Sequence, residues 1–193
     1  TLVVTVPAAF AIARIKFRAA NVFRAYFMSG LLFPLSVAML PLYIQVRDLN
    51  LIDNFFGVVL PQIAFQIPMT VMLLIGFFKA VPNELEDACK IDGYGPVGFL
   101  LIVVLPLSTP ILATTAIIVL IASWNNFFLP LLIFNSENLY PLPLGVMSFQ
   151  GQYSGSWSMV LAYLTLTLIP ALVVFVAAQK YIVAGLTGGA VKG

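Results

Sequence analysis

The chain of 193 residues is 62% hydrophobic and only 8% charged, with nine basic and seven acidic side chains. A soluble domain carries about 25% charged residues because its surface faces water, so this composition excludes a soluble globule and predicts an all-α integral membrane protein in a lipid bilayer. The segment has no histidine, a single cysteine (Cys89) and no basic stripe. Imidazole chemistry and intrachain disulfides are therefore excluded within it, and neither a metal site nor nucleic-acid binding is predicted.

Five membrane spans are predicted, as helices, since a helix satisfies its own backbone in lipid. Residues 1–13 are apolar but shorter than the about 20 residues that a span needs, so we expect the segment to begin partway through a span and to lack the N-terminal part of the protein. The four further spans have 22 to 25 residues each and are Ala25–Val46, Phe56–Phe78, Pro110–Phe134 and Trp157–Gln179. Prolines at positions 34, 41, 61, 68, 130 and 170 predict that such helices are bent or broken.

The basic residues predict the orientation of these spans. Eight of the nine fall on one side of the five-span arrangement, and only Arg47 falls on the other. Because basic residues accumulate on the cytoplasmic side, residues 80–109 and the C-terminus are predicted to be cytoplasmic, and Asn135–Ser156 is predicted to face outward. No repeat or linker divides residues 1–193, which predicts a single transmembrane domain.

Six charged residues are gathered between two long uncharged runs, and their pattern predicts a short cytoplasmic helix. Asn83 is predicted to cap it, with Glu86 at the third helical position. Glu86 and Lys90 are four residues apart and can pair on one face. Gly93 is predicted to end the helix, before an uncharged segment at Val97–Leu105. The residues alone fit either a solvated connector or a docking element, although a passive connector could be shorter.

The stretch EDACKIDGYGPVGFLLIVVLP resembles the signature loop of ATP-binding-cassette importer permeases. The pattern of that family is Glu-Ala-Ala, then Asp-Gly two residues later, and further on Leu-Pro. These elements lie here at Asp87-Ala88-Cys89, Asp92-Gly93 and Leu105-Pro106. The sequence departs from the pattern at Asp87, which replaces glutamate, and at Cys89, which replaces alanine.

Two other stretches resemble carbohydrate-uptake members of this family. SWNNFFLPLLIF, at Ser123–Phe134, resembles the span that follows the signature loop. GLTGGAVKG, at Gly185–Gly193, resembles the C-terminus of the maltose-type MalG subunit rather than that of its MalF partner. The resemblance covers essentially the whole chain, with the first span or so of the family missing.

The resemblance implies the transmembrane domain of a type I importer, in which residues 80–109 form a cytoplasmic coupling loop. Its 84–93 helix would seat in a groove of a separate ATPase subunit. The contact residues implied for this docking are Glu86, Asp87, Ala88, Cys89, Asp92 and the turn residue Gly93. A larger side chain at Ala88 is expected to hold the two subunits apart.

The same resemblance implies the partners and the location. The partners are a second, MalF-like permease, two ATPase subunits and an extracytoplasmic substrate-binding protein, in a bacterial cytoplasmic membrane. The chain has no GxxxxGK[ST] motif to cradle phosphates, so ATP and Mg²⁺ are expected to act in the ATPase subunits. We expect no cofactor and no enzymatic activity of this chain itself.

A polar patch at Trp124, Asn125 and Asn126 interrupts an apolar span. Polar groups in a span usually face a cavity or the interior of the bundle, and amides and an indole suit a sugar. These residues are therefore candidates for the translocation pathway. The alternative is that they join this helix to a neighbouring one.

The outward loop Asn135–Ser156 ends in a stretch rich in Gly, Ser, Gln and Tyr. The resemblance implies that such a loop reaches into a docked substrate-binding protein. Gln150, Gln152 and Tyr153 are the candidates for that contact, and a plain external turn is the alternative.

Two other functions compete with a sugar importer. An ion-coupled carrier or channel would need an ionisable residue inside a span, and every acidic residue lies outside the predicted spans. An importer permease for amino acids, peptides or phosphate shares the loop motif. The resemblances at Ser123–Phe134 and at the C-terminus favour a sugar, an oligosaccharide or a related polyol.

Overall fold

The computed structural model describes residues 1–149 and 157–188, with side chains described for 1–149 and 157–179, and the regular elements in these ranges are all helical. The α-helices are α1 Leu2–Arg14, α2 Ala20–Gly30, α3 Leu35–Asp48, α4 Phe55–Ala80, α5 Asn83–Ile91, α6 Pro96–Phe99, α7 Leu105–Leu107, α8 Thr109–Trp124, α9 Phe128–Ile133 and α10 Trp157–Gly188. A π-helix spans Leu100–Val104, and 3₁₀-helices span Glu137–Leu139 and Leu144–Phe149. The predicted all-α fold is confirmed within these ranges.

Two helices are long and apolar enough to cross a bilayer, namely α4 and the Trp157–Gln179 part of α10. They confirm two of the predicted spans as single helices. By length and composition the number rises to four if each of two bent pairs is one span. These pairs are α2 with α3, and Pro96–Leu107 with α8, the second being bent by 76°. Since α1 has only 13 residues, the count of five spans stays a prediction.

The predicted span Ala25–Val46 is wrong as a single helix, because α2 ends at Gly30 and α3 begins at Leu35. The two N–H groups that follow α2 bond to carbonyls only three residues back, which tightens its last turn. Pro34 then precedes α3 in an extended conformation and has no N–H to continue the earlier helix. The break therefore lies at one of the prolines from which bending was predicted.

The predicted span Pro110–Phe134 is also two helices, since α8 ends at Trp124 and α9 begins at Phe128. Between them, the side-chain oxygen of Asn126 accepts the backbone N–H of Leu129 at 3.3 Å. An asparagine that bonds to the backbone three residues ahead competes with helix continuation and starts a new helix. The polar patch is thus the point at which the helix breaks.

The chain divides into two compact units. The first contains Thr1–Leu32, Gln66–Val119 and the described residues from Ala178 onward. Its core is built around Phe10, whose ring lies 6.4 Å from that of Phe78 and 6.2 Å from that of Phe99. This aromatic cluster packs α1 against the end of α4 and against α6, so the helices on either side of α5 in the sequence share one core.

The second unit contains Phe33–Phe65 and the described residues of Leu120–Ala177. Leu129 and Ile133 of α9 are buried against Val46 of α3 and Val58 of α4. The division into units does not test whether residues 1–193 act as a single domain, which stays a prediction.

Candidate functional site

The start of α5 differs from its prediction. Pro82 precedes the helix, and Asn83 is the first helical residue without a capping bond of its side chain. The Asn83 oxygen instead accepts a hydrogen bond from Nη1 of Arg14 at 3.2 Å. The predicted cap is therefore wrong, because Arg14 draws this side chain away, and Glu86 lies at the fourth helical position rather than the third. Glu84 and Glu86 still lie near the positive end of the helix dipole.

The end of α5 is as predicted. Gly93 has φ +82°, a left-handed conformation that favours glycine. Its N–H bonds to the carbonyl of Lys90 at 3.1 Å, and the N–H of Tyr94 bonds to that of Cys89 at 2.9 Å. This pair of bonds is a Schellman motif, which satisfies the last carbonyls of the helix and stops it.

The predicted pair of Glu86 and Lys90 is confirmed, with Lys90 Nζ 3.1 Å from Glu86 Oε1. Lys90 also lies 3.1 Å from Oδ1 of Asp87. The hydrogen bond to Asp87, and then that to Glu86, raise the pKa of Lys90 above its ordinary value. The α5 helix thus carries its own network of ion pairs, which stabilises the helix without help from a neighbour.

Arg14, at the end of α1, is the main residue of this site that the sequence analysis missed. Its side chain is only 7% exposed, and its Nε lies 3.4 Å from Oε2 of Glu86. Its Nη1 donates to the carbonyl of Val81 at 3.0 Å, and its Nη2 donates to that of Pro82 at 3.4 Å. The guanidinium lies 5.5 Å from the ring centre of Phe99, in a cation–π contact. In the sequence Arg14 is one of several basic residues after an apolar run, and no local signal identifies partners about 70 positions away.

The six residues implied for ATPase docking fall into three environments. Glu86 is 26% exposed, and both of its oxygens are engaged by Arg14 and Lys90. Cys89 is 7% exposed and belongs to the core of the first unit. Its assignment as a surface contact is therefore corrected, because α5 turns it toward the body of the protein. The other four residues are exposed: Asp87, Ala88, Asp92 and Gly93.

Apolar side chains that the sequence analysis did not select extend this exposed surface. Ile91 is 86% exposed and Val97 is 68% exposed, while Leu85 and Tyr94 are less so. Exposed apolar groups that cluster on a loop outside the predicted spans are typical of a protein contact surface. Their signal in the sequence is the helical spacing of Leu85, Ala88 and Ile91, which places them on one side of α5.

The polar patch at positions 124–126 is divided between two roles. The side chain of Asn126 is hydrogen-bonded to the first turn of α9, as described above. Trp124 and Asn125 line an apolar cavity of about 220 Å³ together with residues of α10 between Leu168 and Phe175. Asn126 therefore has a local structural role at the start of α9, which is not the predicted contact with a neighbouring helix. The structure leaves Trp124 and Asn125 as candidates for the translocation pathway.

The loop that is predicted to face outward is held in place at its start by Asp53. One carboxylate oxygen of Asp53 accepts the backbone N–H groups of Asn135 and Ser136, each at 2.9 Å, and the other accepts the Ser136 hydroxyl. These hydrogen bonds lower the pKa of Asp53 from its ordinary value, and the bond from the Ser136 hydroxyl contributes most. No local pattern in the sequence indicates this contact.

The predicted binding-protein contacts Gln150, Gln152 and Tyr153 lie outside the described residues. The described part of the loop before them packs on the first turns of α10. There, the Tyr163 hydroxyl donates to the carbonyl of Leu142 at 2.8 Å, and its ring lies 5.0 Å from that of Phe149. Among the described residues, no group of three or more His, Cys, Asp or Glu side chains could hold a metal ion.

Comparison with known families gives one match that covers most of the chain. Residues 5–187 match the family described as "Binding-protein-dependent transport system inner membrane component". The match contains α5 and its signature loop, so the family that residues 87–106 indicated is confirmed.

Individual relatives are similar along the whole chain. It is 33% identical over 193 residues to the probable ABC transporter permease protein YurM of Bacillus subtilis, and covers 64% of that protein's length. It is 32% identical to the sulfoquinovosyl glycerol transport system permease protein SmoH of Agrobacterium fabrum, with 100% of this chain and 68% of that protein covered. It is also 32% identical to the trehalose/maltose transport system permease protein MalG of Thermococcus litoralis, with 96% of this chain and 67% of that protein covered.

A solved structure has the same fold. It is that of a bacterial ABC transporter involved in the import of the acidic polysaccharide alginate, with a TM-score of 0.79 and 24% identity. The match covers 93% of this chain and 68% of that one. At this identity the similarity establishes the fold, which is the one implied by the resemblance of the signature loop.

Proposed function

Because the chain belongs to the family of binding-protein-dependent transport system inner membrane components, we propose that it is a permease subunit of an ATP-driven importer. Its substrate is a sugar, an oligosaccharide or a related polyol. The printed names of several relatives support this class: sulfoquinovosyl glycerol, arabinooligosaccharides, diacetylchitobiose, and trehalose or maltose. The subunit is a conduit and performs no enzymatic step of its own.

One observation carries this proposal: α5 has an inner side locked to the protein and an outer side left free. Cys89 and Glu86 face inward, while Asp87, Ala88 and Ile91 face outward. A rigid helix with a free outer face is suited to seat in a groove of another subunit. Its inner face can then carry any displacement into the rest of the chain.

The proposed assembly contains this chain, a second, MalF-like permease, two ATPase subunits and an extracytoplasmic substrate-binding protein. ATP and Mg²⁺ act in the ATPase subunits, against which the outer face of α5 docks. The chain crosses the bacterial cytoplasmic membrane several times and has its C-terminus in the cytoplasm. Trp124 and Asn125 lie along the pathway, and Gln150, Gln152 and Tyr153 meet the binding protein.

The test is cross-linking from Ala88, which is exposed on α5. The full-length chain carries Ala88→Cys together with Cys89→Ala and no other cysteine, and is expressed with the genes adjacent to its own. In inside-out vesicles, a maleimide photo-crosslinker on position 88 should capture an ATPase subunit, and the yield should change when ATP and Mg²⁺ are added.

Leu49→Cys is the matched control, since Leu49 is 61% exposed and is predicted to lie on the outer side. A membrane-impermeant maleimide should label position 88 but not position 49 in inside-out vesicles. Ready labelling of position 88 without capture of an ATPase would favour an ATP-independent carrier. Uptake of trehalose, maltose, arabinooligosaccharides and diacetylchitobiose then tests the substrate class, and transport of none of them would contradict it.

A further inference from the structure

Arg14 is placed at a junction of three parts of the first unit. Its guanidinium binds the connection between α4 and α5 through the carbonyls of Val81 and Pro82. It also contacts Glu86 within α5 and the ring of Phe99 in α6. Arg14 is itself the last residue of α1. A single side chain therefore joins the end of α1 to the α4–α5 connection, to α5 and to α6.

The physical chemistry of this junction favours one fixed arrangement. The side chain of Arg14 is 7% exposed, and a buried charge is costly unless it is paired and hydrogen-bonded. The guanidinium is planar and presents its donors in a rigid fork. The acceptors here lie on the α4–α5 connection and on α5, so a movement of α5 relative to α1 would break several bonds at once and strand the charge.

Arg14 does not belong to the proposed docking surface. Among the described residues, its hydrogen bonds, ion pair and ring contact are with Val81, Pro82, Asn83, Glu86 and Phe99. The outward residues Asp87, Ala88 and Asp92 are not among them. In addition, α5 has its own glycine cap and its own ion pairs through Lys90. Removal of Arg14 should therefore leave a folded α5 that can still dock.

We infer that Arg14 is a positioning residue that fixes α5 to the end of α1, so that a displacement of α5 by a docked ATPase subunit is passed to α1 as a rigid movement. This inference rests on the proposed function. The signature-loop motif does not include α1, and this inference gives α1 a part in coupling. Glu86 is assigned to the same junction, as the inward partner of Arg14.

The test measures assembly and transmission separately. An environment-sensitive fluorophore is attached at Val3→Cys, on a residue of α1 that is 89% exposed, in full-length chain with Cys89→Ala and no other cysteine. The full complex is reconstituted, and fluorescence is compared without nucleotide and with ATP, Mg²⁺ and vanadate. The wild-type complex should give a nucleotide-dependent change in fluorescence. Arg14→Gln should reduce that change on the order of tenfold, within the usual range of coupling between sites, while the amount of ATPase subunit that co-purifies stays within about twofold.

Two further variants make the result decisive. Arg14→Lys keeps the charge beside Glu86 but loses the fork, so it should restore the change in part. Arg47→Gln is the matched control, because Arg47 pairs with Asp48 at 3.0 Å but is 59% exposed, and it should behave as the wild type does. If Arg14→Gln alone fails to assemble, Arg14→Lys carries the test. An unchanged signal in an assembled Arg14 variant would overturn the inference, and so would loss of assembly in both variants.

Failure of this inference and failure of the proposed function give different results. If the wild-type chain captures no ATPase subunit, the proposed function is wrong. If the wild-type complex assembles and responds to nucleotide but the Arg14 variants respond equally well, only the role of Arg14 is wrong.

Discussion

Gly57 in α4 lies against the backbone carbonyl of Leu51: a Cβ placed on Gly57 would come 2.2 Å from that oxygen and 2.9 Å from Cγ2 of Ile133. Neither atom can yield easily, since one is backbone and the other is fully buried. Gly57→Ala should therefore destabilise the protein by about 1–3 kcal/mol, as overpacked sites usually do. Thermal unfolding in detergent is the measurement.

Gly76, in the same helix, is the matched control for Gly57. A Cβ on Gly76 would meet nothing within 4 Å, and alanine is a better helix former than glycine by up to about 1 kcal/mol. Gly76→Ala should therefore leave the melting temperature unchanged or raise it. Equal losses from the two substitutions would mean that helix packing at Leu51 is not the cause.

Gly93→Ala should weaken the end of α5 through strain alone. Gly93 has φ +82° and open space around its Cβ position, so the cost is that of a left-handed alanine, about 1–2 kcal/mol. Gly95→Ala is the control, because Gly95 has equally open space but φ −80°. Limited proteolysis in inside-out vesicles should cut the 80–109 loop faster in Gly93→Ala than in Gly95→Ala. Gly93→Pro should in addition uncouple transport from ATP hydrolysis, because it removes the N–H that bonds to Lys90.

Asp53→Asn should loosen the start of the outward loop and change how the stability of that loop depends on pH. The pKa of Asp53 is lowered in the folded protein, so its ionised form is the one that stabilises the fold. That stabilisation is fully present above the ordinary carboxyl pKa of 3.8 and is lost as pH falls through the lowered folded value. Between pH 7 and pH 5 the wild type should therefore resist protease in the loop better than Asp53→Asn, and the difference should shrink in melting experiments taken below about pH 4.

Asp48→Asn serves as the control for Asp53→Asn. Asp48 pairs with the neighbouring Arg47, and its side chain is 61% exposed, a setting in which an ion pair contributes little. Its substitution should leave protease resistance unchanged at each pH. A pH profile of Asp53→Asn that follows the wild type throughout would show that the bonds to Asn135 and Ser136 do not hold the loop.

Cys89 should react slowly with maleimide in native membranes and rapidly once the chain is denatured, because it is 7% exposed and lies in a core cluster. In a chain with Ala88→Cys and Cys89→Ala, expressed without the ATPase subunits, position 88 should react rapidly in both states. The contrast is between adjacent residues of one helix, so it reports which face of α5 is turned inward. Rapid native labelling of Cys89 would show that α5 is not seated as described.

The fold and part of the site could be predicted because their signals are local. The α4 helix follows from a long uncharged run, and the end of α5 follows from a glycine at a fixed distance from its charges. The role of Arg14 could not be predicted, since its acceptors are backbone carbonyls and a carboxylate some 70 residues later. The inward position of Cys89 depends on how α5 packs, and an i to i+4 pattern alone does not say which face of a short helix is covered.

The two asparagines of the polar patch should separate when they are replaced one at a time. Asn126→Ala removes the side chain that accepts a backbone N–H in the first turn of α9, so it should cost about 1 kcal/mol of stability and lower the melting temperature. Asn125 is exposed and lines the cavity beside α10, so Asn125→Ala should leave the melting temperature unchanged. If Asn125 lies along the translocation pathway, its substitution should instead slow uptake of whichever test sugar the wild type transports, per assembled complex. A loss of stability in Asn125→Ala equal to that in Asn126→Ala would give both residues a structural role, because a residue that only lines a pathway makes no bond on which the fold depends.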